Sequence, residues 1–318
     1  MKRVWITRPL PDTVVAAARA LEAEIVVRRE TLPLTAEELR VALRDFDVVL
    51  PTLGDQFSEQ VFADVPGPRC RLLANFGVGY NHIDVAAAAA VGVQVTNTPG
   101  AVTDATADIG VMLMLMSARR AGEGERMVRR DAWPGWHPTQ MLGLHMSGKT
   151  VGIVGMGRIG QAIAQRCHFG FGMAVQYFNR SPKELPFAAT RVEDLNALAA
   201  GVDFLVAAVP GGGATRHIID AEVLGAMQPH AHLVNISRGD VVDEAALIAT
   251  LEAGQIGGAG LDVYEHEPAV PDRLQALDNV TLLPHLGTAA LEVRTDMGLM
   301  AVDNVAAFLA DKTLPNPV

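Results

Sequence analysis

Gly155, Gly157 and Gly160 follow the apolar run Val151–Val154 at x-G-x-G-x-x-G spacing, and a helix-compatible segment starts at Arg158. A strand–turn–helix of this kind seats a pyrophosphate on a helix N-terminus. The first glycine makes the tight turn, the second lets the backbone approach the phosphates, and the third lets helix and strand pack closely. A second apolar run, Ala174–Phe178, ends in Asn179, Arg180 and Ser181. A site for an unmodified ribose carries an acid there, about twenty residues on, to hold the hydroxyls. A guanidinium and a hydroxyl suit a 2′-phosphate instead. Three later apolar runs also end in polar residues. Ser237-Arg238-Gly239 follows Leu233–Ile236, Asp262 and then Glu265-His266-Glu267 follow Ala259–Leu261, and His285 and Gly287 follow Val280–Leu283. Ligands of open α/β sheets bind outside the carboxyl ends of the strands. One guanidinium for a carboxylate, one imidazole for a proton and acids beside it are therefore expected around a dinucleotide. Taken singly, Arg238 reads as a surface cation, His285 as a structural imidazole, Glu267 as the start of a turn and Asp262 as a backbone cap. Together, next to the glycine turn, they read as a site.

The elements that must position these residues alternate along the chain. Strands are expected at Val4–Thr7, Ile25–Arg28, Val48–Pro51, Leu72–Ala74 and Val93–Val95, with helices at Asp12–Leu21, Thr35–Arg44, Ser58–Phe62 and Val85–Ala90. Thr35 and Glu38 have the spacing of a capping box. After Thr96–Gly100 one long helix is expected from Thr103 to about Arg130. Its Met-rich centre reads as helix buried between domains or at a subunit contact. A second series then gives strands at Val151–Val154, Ala174–Phe178, Phe204–Ala208, Ala231–Asn235, Gly258–Leu261 and Val280–Leu283, and a last helix, Leu291 to Leu309, with no strand after it. Two doubly wound parallel-sheet domains are expected, the second inserted in the first. Residues 1–98 with 286–318 would form one domain and residues 99–285 the other.

Composition narrows the function. With 318 residues and 49% hydrophobic content the chain can build real cores. Its net charge of −10 and its lack of long basic runs argue against nucleic acid as a partner. That charge would also repel an anionic substrate, so single arginines gain weight. The longest apolar segment, Ile109–Met116, is too short for a membrane span. The N-terminus reads as a strand and not a signal peptide, so a cytoplasmic location is expected. Cys70 and Cys167 have no metal or redox spacing and read as inert buried thiols, and no metal site is expected.

The ordered motifs of this chain resemble those of the D-isomer-specific 2-hydroxyacid dehydrogenases. They are Asn75-Phe76-Gly77-Val78-Gly79-Tyr80-Asn81-His82-Ile83-Asp84, Ala101–Asp108, Val154–Gly160, Phe171-Gly172-Met173, Asn235–Gly239, Gly258–Pro268 and Leu283–Gly287. Within that family, Tyr177–Ser181 is most similar to NADPH-dependent glyoxylate/hydroxypyruvate reductases, including the branch that takes hydroxyphenylpyruvate. The resemblance implies a Rossmann-type cofactor domain inserted in a flavodoxin-like substrate domain, NADP(H) preferred over NAD(H), and a homodimer formed through the cofactor domain. Arg238 would hold the substrate carboxylate and keto oxygen, and His285 would protonate that oxygen as hydride arrives. Glu267 would bond the far ring nitrogen and favour the imidazolium, since a free imidazole titrates at roughly 6.5. The N–H groups of Val78 and Gly79 would meet the substrate carboxylate, and Leu53 would line the substrate side. Gly155, Gly157, Arg158, Ile159 and Gly160 would hold the pyrophosphate, and Asn179, Arg180 and Ser181 the 2′-phosphate. Asp262 would meet the nicotinamide carboxamide. Thr106, Val209, Pro210, Thr215, Ile236, Ser237 and Gly287 would flank the cofactor. One stretch departs from the family: Gly211-Gly212-Gly213-Ala214 stands where relatives often have Leu-Thr-Pro before the threonine matching Thr215. Trp136 reads either as a pocket residue or as an anchor at a dimer contact. A D-lactate or phosphoglycerate dehydrogenase, or a non-catalytic dinucleotide sensor on the same scaffold, stays open as an alternative.

Overall fold

The apolar runs become strands and the segments between them helices, in a computed structural model that describes Met1–Val318. The chain begins β1 (Arg3–Ile6), α1 (Asp12–Arg19), β2 (Glu24–Val27), α2 (Ala36–Asp45), β3 (Val48–Leu50), α3 (Glu59–Ala63), β4 (Leu72–Ala74), α4 (Val85–Ala90) and β5 (Gln94–Thr96). These five strands are parallel in the order β2-β1-β3-β4-β5, the flavodoxin-like order. Central strands β3 and β4 are buried along their whole length, as helices on both faces of a parallel sheet require. The capping box forms: Thr35 Oγ1 accepts the Glu38 N–H at 3.3 Å and Glu38 returns a bond to the Thr35 N–H at 2.8 Å.

The second series runs α5 (Thr103–Ala118), α6 (Ala121–Arg129), β6 (Thr150–Val154), α7 (Arg158–Gln165), β7 (Ala174–Phe178), β8 (Thr190–Arg191), α8 (Leu195–Ala200), β9 (Phe204–Ala207), α9 (Ala221–Ala226), β10 (His232–Asn235), α10 (Glu244–Glu252), β11 (Gly258–Leu261), α11 (Asp272–Gln275) and β12 (Val280–Leu282). Its seven parallel strands are ordered β12-β11-β10-β9-β6-β7-β8. The order reverses between β6 and β9, the Rossmann arrangement, and that switch point is where such sheets take ligands. The chain ends in α12 (Leu291–Leu309), whose Ala301, Val302 and Val305 pack with Val4, Ile6, Val14 and Leu72 in the first core. No helix is long and apolar enough to cross a membrane.

Two units result: Met1–Val102 with Ala289–Val318, and Thr103–Thr288. The breaks fall a few residues beyond Thr98 and His285. Thr98 is still tied to Gly77 by its N–H, and Leu286 and Gly287 are still tied to Asp262. The expected helix over residues 103–130 is two helices. The irregular segment at Leu144 donates its N–H to Ala118 O at 2.8 Å, and Gly143 lies against the same carbonyl, so the helix end is capped from outside. Arg120 then takes φ +54° and α6 starts afresh. Cys70 and Cys167 are buried, and burial pushes both thiols up to about 12.

Candidate active site

In the turn after β6, packing accounts for the first and third glycines, and the second borders open space. Gly155 has φ +100°, and a Cβ there would stand 2.7 Å from Val209 and 2.8 Å from the Ala208 carbonyl. A Cβ on Gly160 would lie 2.1 Å from Gly155 O, whereas one on Gly157 would meet nothing within 4 Å. The first and third glycines are thus fixed by the protein, and the second leaves open space at the start of α7. No side chain caps that helix at Gly157, so its first-turn N–H groups suit a pyrophosphate. These residues fit a dinucleotide. Beside them, Asn179 at the end of β7 accepts the Met156 N–H at 3.2 Å and donates to Ser181 O at 2.8 Å. Arg180 and Ser181 are exposed, as is Arg158. Arg191 on β8, which the sequence did not single out, donates to the carbonyls of Asn179 and Arg180 at 3.2 and 3.3 Å. It holds the turn that follows β7.

Arg238, Glu267 and His285 follow the adjacent strands β10, β11 and β12. His285 has φ +54°, and its Nδ1 lies 2.8 Å from Glu267 Oε2. Its Nε2 makes no hydrogen bond within the protein. The other carboxylate oxygen of Glu267 accepts the Tyr264 N–H at 3.1 Å, and the Tyr264 hydroxyl donates to Leu283 O at 2.8 Å. The pair is therefore braced from both strands. Burial pushes the Glu267 carboxyl up, but the His285 bond and charge, the Tyr264 N–H and the Arg238 charge together bring it below its ordinary value. Burial presses the Arg238 guanidinium down, against the charges of Glu267 and Asp240. Arg238 and Glu267 thus feel each other's charge.

Backbone close approach places the arginine. Asn235 Oδ1 accepts from the N–H and hydroxyl of Ser237, and Asn235 Nδ2 donates to Arg238 O at 2.9 Å. A Cβ on Gly239 would fall 1.8 Å from the Tyr264 carbonyl carbon, and one on Gly211 would fall 2.6 Å from Arg238 Cγ. Gly211, in the stretch that departs from the family, is thus the wall of the arginine. Thr215 closes that loop by donating to Pro210 O at 2.6 Å. Glu265 joins it to the next loop through Arg216 at 2.7 Å and His217 at 3.0 Å. Asp262 is buried, and its two oxygens accept the N–H groups of Leu286 at 2.6 Å and Gly287 at 2.8 Å. Burial raises its pKa against the pull of those bonds. Thr106 donates to Gly287 O at 3.1 Å. Ile236 and Ser237 are buried, Val209 is half-buried, and Pro210 is exposed. Leu53, Val78 and Gly79 belong to the first unit, in the loops after β3 and β4, and Trp136 is exposed.

The sequence profile described as "D-isomer specific 2-hydroxyacid dehydrogenase, NAD binding domain" matches residues 111–287. The chain belongs to the D-isomer-specific 2-hydroxyacid dehydrogenase family. This dehydrogenase is 40% identical over 322 residues to a glyoxylate reductase of Pyrococcus furiosus, covering 99% of this chain and 95% of that one. It is 36% identical to a glycerate dehydrogenase of Hyphomicrobium methylovorum, with 96% of each chain covered. Among solved structures it resembles the NADPH-dependent glyoxylate/hydroxypyruvate reductase of Sinorhizobium meliloti in complex with NADP and malonate, with TM-score 0.88 and 35% identity, covering 100% of this chain and 96% of that one. The dehydrogenase therefore has a nicotinamide-dinucleotide-binding domain, in which the Arg238, Glu267 and His285 side chains lie at the carboxyl ends of β10 to β12.

Proposed function

We propose that this dehydrogenase reduces small 2-keto acids of the glyoxylate and hydroxypyruvate type to D-2-hydroxy acids with NADPH. The observation that carries this reading is the 2.8 Å bond between His285 Nδ1 and Glu267, which leaves Nε2 for the substrate. The reduced nicotinamide supplies a hydride to the keto carbon. Arg238 donates to the carboxylate and keto oxygen, polarising the carbonyl before transfer. His285 Nε2 gives its proton to the keto oxygen, and Glu267 holds the ring in the tautomer and orientation that make this possible. The Val78 and Gly79 N–H groups receive the carboxylate, and Leu53 lies on the substrate side. Asp262 meets the carboxamide. Thr106, Val209, Pro210, Thr215, Ile236, Ser237 and Gly287 flank the cofactor, and the Gly155–Gly160 turn with Arg158 and Ile159 takes the pyrophosphate.

Preference for NADPH is supported by Asn179, Arg180 and Ser181 at the end of β7, where no acid stands to repel a 2′-phosphate. A cytoplasmic homodimer through the cofactor domain belongs to the same reading. The dimer is supported by an apolar groove of about 630 Å³ lined by Val111, Met112, Leu115, Met116, Phe169 and Phe171; light scattering that returns a monomer removes it. The primary test follows NADPH consumption by near-ultraviolet absorbance with glyoxylate, hydroxypyruvate and a wider panel of 2-keto acids. Turnover with a higher kcat/KM for NADPH than for NADH supports the proposal. Absence of turnover with every 2-keto acid refutes it.

A further inference from the structure

In the loop after β4 the carbonyls of Gly77, Val78 and Gly79 are tied back into the first unit. Gly77 O accepts from Asn75 Nδ2 at 3.0 Å and from the Thr98 N–H at 3.1 Å. Val78 O accepts from Asn97 Nδ2 at 2.9 Å, and Gly79 O accepts from Asn75 Nδ2 at 3.0 Å. The N–H groups of Val78 and Gly79 make no hydrogen bond within the protein, and both residues are half-buried. Gly77, at φ +153°, permits the turn. Asn75 is fully buried, and its Oδ1 lies 3.1 Å from Nε2 of the buried His82. Its amide orientation is fixed, because only a nitrogen can face two carbonyl oxygens. The Asn97 N–H donates to Asn316 O at 3.1 Å, and Asn316 is bonded to Asn304 of α12. Successive N–H groups left open while their carbonyls are held away form an anion-binding concavity.

We infer that Asn75 and Asn97 are positioning residues for a carboxylate nest in the first unit: they hold the carbonyls of Gly77, Val78 and Gly79 inward so that the N–H groups of Val78 and Gly79 stay open to the substrate carboxylate. The inference rests on the reading of the substrate as a 2-keto acid. The residue type follows from the task. An amide at position 75 donates two protons to two carbonyls and brings no charge. A carboxylate of the same shape has no donor, would push both carbonyls away and would repel the substrate.

The nest grips the carboxylate equally in the bound substrate and at the transition state, so its loss moves KM and leaves kcat. Asn75→Ala and Asn97→Ala are each expected to raise KM for glyoxylate about ten- to a hundredfold, the scale of a charge-assisted bond. The kcat and the KM for NADPH are expected to stay within about twofold. A merely structural role would lower the active fraction, hence kcat, with KM unchanged, and that pattern overturns the inference, as does a KM within about twofold of wild type. Should Asn75→Ala fail to fold, the half-buried Asn97→Ala carries the test. Oxalate binding, followed by calorimetry, separates this inference from the reading of the reaction. If wild type turns over no 2-keto acid but binds oxalate and Asn75→Ala or Asn97→Ala does not, the nest stands while the proposed reaction falls. Oxalate bound equally by wild type and variants, or not bound by wild type, overturns the nest.

Discussion

Replacing Gly239 by alanine tests whether backbone close approach sets the reactive geometry. The added Cβ would stand 1.8 Å from the Tyr264 carbonyl carbon, 2.0 Å from its oxygen and 2.2 Å from Glu265 N. Ordinary contact begins near 3.4 Å, so about 1.6 Å of separation has to be found between two segments of backbone. One segment carries Arg238; the other carries Tyr264, whose N–H holds Glu267, which in turn holds His285. Misplacement by about 1 Å costs on the order of a hundredfold in rate, and overpacking costs about 1–3 kcal/mol of stability. Steady-state reduction of hydroxypyruvate by Gly239→Ala is therefore expected to show kcat/KM lowered about a hundredfold or more. The KM for NADPH should change little, since the Gly155–Gly160 turn is untouched. Two neighbours calibrate the result. Gly211→Ala would put a Cβ 2.6 Å from Arg238 Cγ, a smaller conflict that a side chain can partly relieve, so an intermediate loss is expected. Gly213→Ala meets nothing within 4 Å and should keep wild-type kinetics. The reasoning is refuted if Gly239→Ala, folded, retains kcat/KM within about threefold, or if Gly213→Ala falls as far as Gly211→Ala.

His285→Ala is expected to lower kcat by roughly 10²–10⁴ with NADPH affinity preserved; a near-normal kcat in a stopped-flow assay would mean that another group supplies the proton. Arg180→Asp puts an acid where the 2′-phosphate is expected, and should swing the NADPH-to-NADH ratio of kcat/KM toward NADH; a ratio that does not move removes Arg180 from that site. His232, buried and 2.7 Å from Ser117 Oγ, is pushed down to about 4 by burial and by the charge of His230. Its folded value is depressed, so the unfolded chain takes up the proton first: the stability is present above roughly 6.5 and is lost as pH falls toward 4. Urea unfolding at several pH values should show a loss on the order of 3 kcal/mol across that window, reduced in His232→Gln; equal pH slopes for both proteins would contradict this.

Much of this was legible because parallel strands buried on both faces leave continuous apolar runs, and the residue after each run lies at the ligand edge. That rule alone puts Asp262, Arg238 and His285 just beyond strand ends, where the structure has them, and spacing alone points to the glycine turn. The break at Arg119–Arg120 was not legible, because α5 is capped by Leu144, whose contact with Ala118 is set by the fold and not by any residue near the break. Thr190–Arg191 and Asp272–Gln275 are too short to carry a period. Arg191 was hidden for the same reason: its role is a pair of bonds to the carbonyls of Asn179 and Arg180, and a carbonyl has no signature in the residue type.

That limit bears on how the site is built. The side chains proposed to react are few and stand out, while the parts that position them are mostly backbone. Gly239 and Gly211 are needed for the atoms they lack; Asn235, Asn75 and Asn97 serve chiefly to bond main-chain groups. The Gly211–Ala214 stretch illustrates the consequence. Judged by residue type it departs from a pattern of the family. In the folded chain the first of these glycines abuts the stem of Arg238. A side chain there would need Arg238 Cγ, in the stem that carries the guanidinium, to shift by the 0.8 Å that separates 2.6 Å from ordinary contact. The departure therefore acts on Arg238, the cation proposed to bind the carboxylate, and substrate selection should be sought in the width of that wall as well as in the residues proposed to touch the substrate.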